Sequence, residues 1–156
     1  MSNAAVRSKP FIRRTTLEDI QELAATMRKE DMDEIRLSSN ATPLEALTNG
    51  HIYSNTTSTI VWEGRVMAVF GVVGVKGVGG CPWMLGAPGI ERCRSLLREC
   101  RKVLQGYTED YGYLTNACWS KNTVHIKWIE WLGFNFSGSD TRNGELFLHF
   151  HKGSHV

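Results

Sequence analysis

Three β-rich runs follow one another between stretches of helical periodicity, and this order constrains the fold more than any other feature of the sequence. The runs cover residues 57–62, 66–73 and 81–85. The first two meet at Glu63-Gly64, a composition typical of a hairpin turn. A doubly wound sheet alternates strands with helices, so three consecutive strands predict an α/β chain of the α+β type with a mixed sheet.

The remaining segments complete a single domain. We expect strands at residues 11–15, 113–118, 135–137 and 145–151, the last two flanking a turn at 140–144, and helices at 17–28, 30–37, 90–106 and 123–132. A further short helix follows Thr42-Pro43, with Gly50 past its end. Residues 75–80 are rich in glycine and predict a mobile connection. The domain then covers residues 11–152, between a flexible arm at 1–10 and a short tail at 153–156.

Composition excludes several classes of function. The 156 residues carry a formal net charge of +2, which is too small to indicate specific nucleic-acid binding. The four cysteines lack zinc-site spacing, and His149 and His151 alternate on a strand without a third ligand, so we expect free thiols and no metal site. No run of residues is long and apolar enough to predict a membrane span.

The segment from Asn122 to Phe134 resembles the last helix of the Gcn5-related N-acetyltransferases. In that superfamily an Asn opens the helix, a Tyr lies seven residues later and Gly-Phe closes it. Here Asn122 opens the helix and Gly133-Phe134 closes it, but the Tyr position is occupied by Ile129. The resemblance implies a mixed, twisted sheet with helices on both faces and one parallel pair of strands separated to admit acetyl-coenzyme A.

A second resemblance, covering about residues 58–151, is to a small acetyltransferase-like family of short-tailed phages. It is carried by segments 82–86, 114–118, 121–123 and 126–134 and by the arginine-rich helix between them. Members of that family are described as internal virion proteins or acetyltransferase-like proteins. The resemblance implies a protein of the virion or the host cytoplasm.

The acetyltransferase resemblance places a cofactor site at Leu85, Gly86, Gly89, Ile90 and Asn122. The superfamily holds the cofactor's pyrophosphate on backbone N–H groups of a loop that corresponds here to residues 86–92. In this loop, Pro88 has no N–H to donate and Glu91 adds a negative charge to the first helical turn. The sequence therefore predicts no cofactor, or at most weak binding of acetyl-coenzyme A.

The catalytic acid is the other departure from the superfamily. The superfamily's Tyr protonates the leaving thiolate, and Ile129 cannot do so. His125 lies one turn earlier on the same face of the helix and is the candidate replacement. Asn122 is interpreted as a helix N-cap.

Two surfaces are candidate partner sites. One is the basic face of the long helix, opposite a stripe in which Leu97, Cys100 and Leu104 are expected to be buried; the other is an aromatic ridge on the last helix. Together they comprise Arg94, Arg98, Arg101, Lys102, Trp128 and Trp131. The sequence thus favours a phage assembly or virion protein that binds head, tail or internal virion proteins. The alternative is an acetyl-coenzyme A-dependent N-acetyltransferase acting on a small amine or a host protein, and an inhibitor of a host protein is a third class.

Overall fold

The structure of the chain, a computed structural model, describes residues 8–153. Within them lie seven strands: β1 (Phe11–Arg14), β2 (Thr57–Trp62), β3 (Arg65–Val75), β4 (Gly79–Gly86), β5 (Tyr113–Trp119), β6 (Asn135–Arg142) and β7 (Glu145–Gly153). The α-helices of this range are α1 (Leu17–Thr26), α2 (Lys29–Ser39), α3 (Pro43–Tyr53), α4 (Leu97–Tyr111) and α5 (Thr123–Trp131), and a 3-10 helix at Ile90–Leu96 precedes α4. Residues 1–7 of the expected arm and 154–156 of the expected tail lie outside the described residues.

The strands form one mixed sheet in the order β1-β2-β3-β4-β5-β7-β6. Each neighbouring pair is antiparallel except β4 and β5. That parallel pair meets in register only at Gly80 and Leu114, near the beginning of both strands. The carboxyl ends of β4 and β5 therefore diverge, which opens a V-shaped gap in the middle of the sheet.

Helices cover both faces of the sheet, as the sequence predicts. Helices α1 and α3 pack on one face through Leu23 and Leu47, which are fully buried against Val69 of β3. Thr16 caps α1 in a reciprocal capping box with Asp19, which stabilises the predicted start of that helix. The 3-10 helix, α4 and α5 cover the other face.

The long helix is not continuous, and its buried stripe is narrower than predicted. The 3-10 segment departs from helical geometry at Cys93, where φ is −90° and ψ is 23°, and α4 begins only at Leu97. Cys100 and Leu104 are buried as predicted, but Leu97 is only half-buried at the edge of the core. The prediction of a buried Leu97 is therefore wrong.

Two glycine positions were misinterpreted because glycine permits close packing as well as flexibility. Residues 75–80 belong to a tight hairpin: β3 and β4 pair up to Val75 and Gly79, and a Cβ on Gly74 would come within 2.3 Å of the Gly79 carbonyl oxygen. Gly50 does not terminate α3, which continues to Tyr53. It lies under Trp83, whose ring would be 2.6 Å from a Cβ at position 50.

Candidate active site between the separated strands

Two carboxylates on α2 bridge the gap between the diverging strands. Gly86, at the end of β4, donates its backbone N–H to Asp31 Oδ2 at 2.8 Å. Trp119, at the end of β5, donates its backbone N–H to Glu34 Oε1 at 2.9 Å. The carboxylates thus take the place of the strand pairing that the gap removes, and they fix α2 across it.

A buried amide links the two carboxylates. The fully buried Asn122 donates through Nδ2 to Asp31 Oδ1 at 2.8 Å and to Glu34 Oε1 at 3.2 Å. Its Oδ1 accepts from Arg28 Nη1 at 3.1 Å, and the same Nη1 donates to Asp31 at 2.8 Å. Asn122 is the N-cap residue of α5, as predicted, but its side chain makes no capping hydrogen bond and binds the two carboxylates instead.

His125 completes this cluster at the edge of the gap. Its Nδ1 lies 3.4 Å from both carboxylate oxygens of Glu34, and 15% of its side chain is exposed. Burial alone would lower the pKa of His125, but the Glu34 charge and hydrogen bond, with the charge of Asp31, outweigh burial and raise it. The pKa of Glu34 is lowered, because His125 and the donors Trp119 and Asn122 outweigh its own burial.

Charge balance explains how these groups are tolerated inside the protein. Burial raises the pKa of Asp31 despite the opposing effects of His125, Arg28 and Asn122. A protonated His125 and the Arg28 guanidinium are matched by the two carboxylates. The protonated state of His125 is therefore the one that the cluster favours.

An apolar cleft opens beside the cluster, on the face covered by α4 and α5. Its walls include Phe70, Met84, Tyr107 and Phe150. Burial raises the pKa of Tyr107 to about 12. An apolar lining with a few polar groups is typical of small-molecule sites.

A smaller cavity lies next to the cleft, toward the end of β4. Ile90, predicted at a cofactor site, lines this cavity together with Gly86 and Arg28. Met84, His125 and Trp128 line both cavities, so they form the wall between them. Ile129, in the position of the superfamily's Tyr, lines the cleft and has no proton to donate.

The loop after β4 uses several of its backbone N–H groups in hydrogen bonds within the protein. Ala87 N donates to Met67 O at 2.8 Å, Ile90 N to Ala87 O at 3.2 Å, and Arg92 N to Gly89 O at 3.0 Å. Pro88 has no N–H, so few backbone donors of this loop are left for a phosphate group. Sequence reasoning missed the Arg92 side chain, which folds back over Gly89 and brings a positive charge to the loop: its Nη2 would be 2.7 Å from a Cβ at position 89.

Not every residue predicted at the cofactor site faces the cavities. The Leu85 side chain is buried on the opposite face of the sheet with α1 and α3 and does not line either cavity. Gly89 takes a left-handed conformation with φ of 91° at the start of the 3-10 helix. The structure brings together Gly86, Ile90, Asn122 and His125 around the gap.

The predicted partner surfaces are only partly present. Trp128 is 2% exposed and cannot form an external ridge, so that assignment is wrong. Trp131 is half-buried; its ring lies under the Arg94 guanidinium at 4.9 Å, and its carbonyl oxygen accepts from Arg101. Arg98 and Lys102 are exposed, as predicted.

Three charged residues of the site were not identified from the sequence: Arg28, just before α2, and Asp31 and Glu34 within it. Arg28, Asp31 and Glu34 recur every three residues and so share a helix face with the buried Ile35. The sequence signal that could have identified them is the presence of charged residues on the same helix face as a buried aliphatic residue. Within residues 8–153 no group of three or more metal-ligating side chains occurs, and no helix there could cross a bilayer.

Comparison with solved structures identifies the fold. The aminoglycoside acetyltransferase AAC(6')-Ib, solved with ribostamycin and coenzyme A, matches with a TM-score of 0.65 and 13% identity over 94% of each chain. RimL, the ribosomal L7/L12 α-N-protein acetyltransferase solved with coenzyme A, matches with a TM-score of 0.62 and 8% identity over 94% of each chain. An N-acetyltransferase from Staphylococcus aureus Mu50 gives a TM-score of 0.65 and 12% identity over 94% of this chain and 99% of its own. No family model and no curated protein matches the sequence.

These similarities establish the architecture. The chain has the α/β fold of the Gcn5-related N-acetyltransferases, as the sequence predicts. Nothing in the comparisons indicates a phage origin or a virion role.

Proposed function

We propose that this chain is an N-acetyltransferase that moves an acetyl group from acetyl-coenzyme A to an amine. The observation that carries the proposal is the apolar cleft at the divergence of β4 and β5, with a carboxylate-held histidine in its wall. The fold adds support, because similar structures that include AAC(6')-Ib and RimL contain coenzyme A. The expectation of no cofactor is accordingly replaced by acetyl-coenzyme A as donor.

Acetyl-coenzyme A supplies an acyl thioester whose carbon–sulfur bond breaks when the amine nitrogen bonds to the carbonyl carbon. His125 then donates a proton from Nε2 to the departing thiolate, while the nitrogen of the new amide loses its extra proton to water. Because Glu34 and Asp31 raise the pKa of His125, the imidazole keeps that proton to higher pH than a free histidine does. Glu34 also orients the imidazole ring, because its carboxylate accepts a hydrogen bond from the Nδ1–H of His125.

The acceptor is proposed to be a primary amine. The two named relatives act on an aminoglycoside and on a protein α-amino group, which are both primary amines. The aromatic and aliphatic walls of the cleft keep water from the thioester, so that aminolysis is favoured over hydrolysis.

The test combines a binding and a turnover measurement. Calorimetric titration of the purified chain with acetyl-coenzyme A should show one site per chain, and release of free thiol should depend on an added primary amine from a panel of aminoglycosides, polyamines and peptides. Lys127→Gln changes an exposed residue on the same helix as His125 and serves as a control: it should leave both the heat of binding and the thiol release unchanged. Absence of heat with acetyl-coenzyme A, together with no thiol release on any amine, would refute the proposal.

A stoichiometric binding module in phage assembly is a second candidate, and the basic surface of α4 favours it. Arg98 and Lys102 are exposed, and neither forms an ion pair with a carboxylate in the described part of the chain. An acidic partner bound there would be lost on Arg98→Glu and kept on Glu99→Gln. Recovery of a head or tail protein in fixed ratio in pull-downs, without turnover of acetyl-coenzyme A, would favour this second function.

A further inference from the structure

Trp128 carries an unpaired polar group inside the protein. Its indole Nε1 is buried and has no hydrogen-bond partner, and it is the one such side-chain atom identified in residues 8–153. The whole residue is 2% exposed, so water does not satisfy the N–H from outside. Buried donors are ordinarily paired, and an exception calls for an explanation.

Other tryptophans show what this fold does with an indole N–H. Trp62 donates to the Ser8 carbonyl oxygen at 3.1 Å and Trp83 to Ser54 Oγ at 2.9 Å. Trp119 donates to Glu145 Oε1 at 3.0 Å. All three indoles are less buried than Trp128, so the most buried of these four rings is the one left without an acceptor.

The position of Trp128 suggests what the missing acceptor is. Its ring, with Met84 and His125, is the wall between the large cleft and the smaller cavity at the end of β4. A ligand that extends from one cavity into the other must pass this wall and displace the ring edge. A ligand atom that accepts a hydrogen bond would there meet both the unpaired N–H of Trp128 and the imidazole of His125.

We propose that Trp128 Nε1–H binds the thioester carbonyl oxygen of the acyl donor. The inference rests on the proposed function and assigns a substrate contact within the same site. Carbonyl oxygen is the acceptor that the N–H lacks, and contact at this wall places the neighbouring sulfur beside His125. The indole N–H gives up no other hydrogen bond when the ligand arrives, so the new bond is not offset by a lost one.

Indole N–H resonances in ¹H–¹⁵N NMR spectra test this contact directly. The Trp128 signal is assigned by its loss in Trp128→Phe, and the full chain is titrated with acetyl-pantetheine and with S-ethyl-pantetheine, which keeps the size and the amides but lacks the thioester carbonyl. Acetyl-pantetheine should move the Trp128 N–H proton downfield, and S-ethyl-pantetheine should move it much less. The indole signals of Trp62 and Trp119, which line neither cavity, serve as internal controls and should stay in place.

The outcomes separate this inference from the proposed function. Saturable binding of both ligands with equal Trp128 shifts, or with none, would overturn the carbonyl contact and leave the acetyltransferase proposal standing. No binding of acetyl-pantetheine or acetyl-coenzyme A would overturn both. The readout comes from the wild-type chain, so a Trp128→Phe variant that fails to fold does not affect the conclusion, because each of the other indoles can be assigned by its own substitution.

Discussion

At the level of single residues, the site depends on side chains whose contacts differ from those that their positions in the sequence suggest. Asn122 occupies a helix N-cap position but spends its amide on two buried carboxylates. Ile129 stands where the superfamily has its acid, while His125, one turn away, is the residue that holds a proton. These roles depend on Asp31 and Glu34, which α2 supplies. The sequence around α5 contains no sign of these partners.

The proton on His125 gives a pH dependence of defined sign. Because its pKa is raised above the ordinary 6.5, the acid form persists to higher pH than in a free imidazole, and kcat should fall as the pH rises through the raised value. His125→Gln should lower kcat by about 10²-fold or more and flatten that limb of the profile. Histidine NMR titration checks the cause independently: Glu34→Gln should lower the pKa of His125, and an unchanged value would contradict the coupling.

Asp19 gives a second pH prediction, one that concerns stability. Burial would raise its pKa, but hydrogen bonds from Arg13, Thr16 and Thr59, with the charge of Arg13, lower it to about 2 from an ordinary value of 3.8. The resulting stabilisation is therefore present above about pH 4 and is lost as the pH falls toward 2. Asp19→Asn should lower the free energy of unfolding by about 1 to 3 kcal/mol at pH 6 and much less at pH 2.5.

Urea unfolding at the two pH values measures this difference. Glu18→Gln, an exposed change on the same helix turn, is the control and should cost little at either pH. An equal loss for Asp19→Asn at both pH values would show that its packing, and not its charge, is what matters.

At the level of elements, α2 was the helix whose importance the sequence least revealed. Its existence was predicted, but its role depends on contacts with residues about 90 positions later, such as the hydrogen bond between Asn122 and Asp31. Local periodicity reports which face of a helix is buried and not what it meets. By contrast, the capped start of α1 and the β2–β3 hairpin were predictable, because adjacent residues determine both.

Removal of the Asp31 carboxylate should destabilise the fold strongly. Arg28 is 6% exposed and Asp31 4%, so Asp31→Asn leaves a buried guanidinium without its close partner. The expected loss in the free energy of unfolding is about 3 to 5 kcal/mol. Denaturant unfolding measured at pH 7 provides the value.

Asp33→Asn is the matched control, since it removes a carboxylate from the same helix. Asp33 pairs with Lys29, whose side chain is 81% exposed, so the loss should stay below about 1 kcal/mol. Similar losses in the two variants would mean that the buried cluster contributes no more than a surface ion pair.

Two helical glycines should respond to alanine in opposite directions. A Cβ at Gly50 would meet the Trp83 ring at 2.6 Å, and that ring is held by a hydrogen bond to Ser54, so Gly50→Ala should cost about 1 to 3 kcal/mol. At Gly106 in α4 nothing lies within 4 Å of the Cβ position, so Gly106→Ala should stabilise by about 0.5 to 1 kcal/mol. Thermal unfolding of both variants checks the pair, and stabilisation of Gly50→Ala would contradict the close packing at Trp83.

At the level of the whole molecule, the order of elements was enough to predict the mixed sheet and its helical layers. The site could be placed only coarsely. Four of the predicted residues meet at the gap: Gly86, Ile90, Asn122 and His125. The Leu85 side chain lies on the opposite face of the sheet, and Trp128 lies in the core. A single strand pattern does not tell which face becomes the cleft when both faces of the sheet carry helices. The divergence of β4 and β5 is likewise a long-range feature with no local signature.

On the proposed function, the arrangement of the whole site predicts how acetyl-coenzyme A would be bound. The apolar cleft suits an acylated pantetheine arm, whereas the loop after β4 offers few free N–H groups and carries Glu91, with Arg92 as the compensating charge. Acetyl-coenzyme A should therefore bind no more than about tenfold more tightly than acetyl-pantetheine, a difference of about 1.4 kcal/mol.

Variants of the loop test this explanation. Pro88→Gly combined with Glu91→Gln should tighten the binding of acetyl-coenzyme A and leave that of acetyl-pantetheine unchanged, while Arg92→Gln should weaken the binding of acetyl-coenzyme A alone. Calorimetric titration of both donors measures each effect, and a preference of wild type for acetyl-coenzyme A above about 100-fold would show that the nucleotide is held by contacts other than this loop.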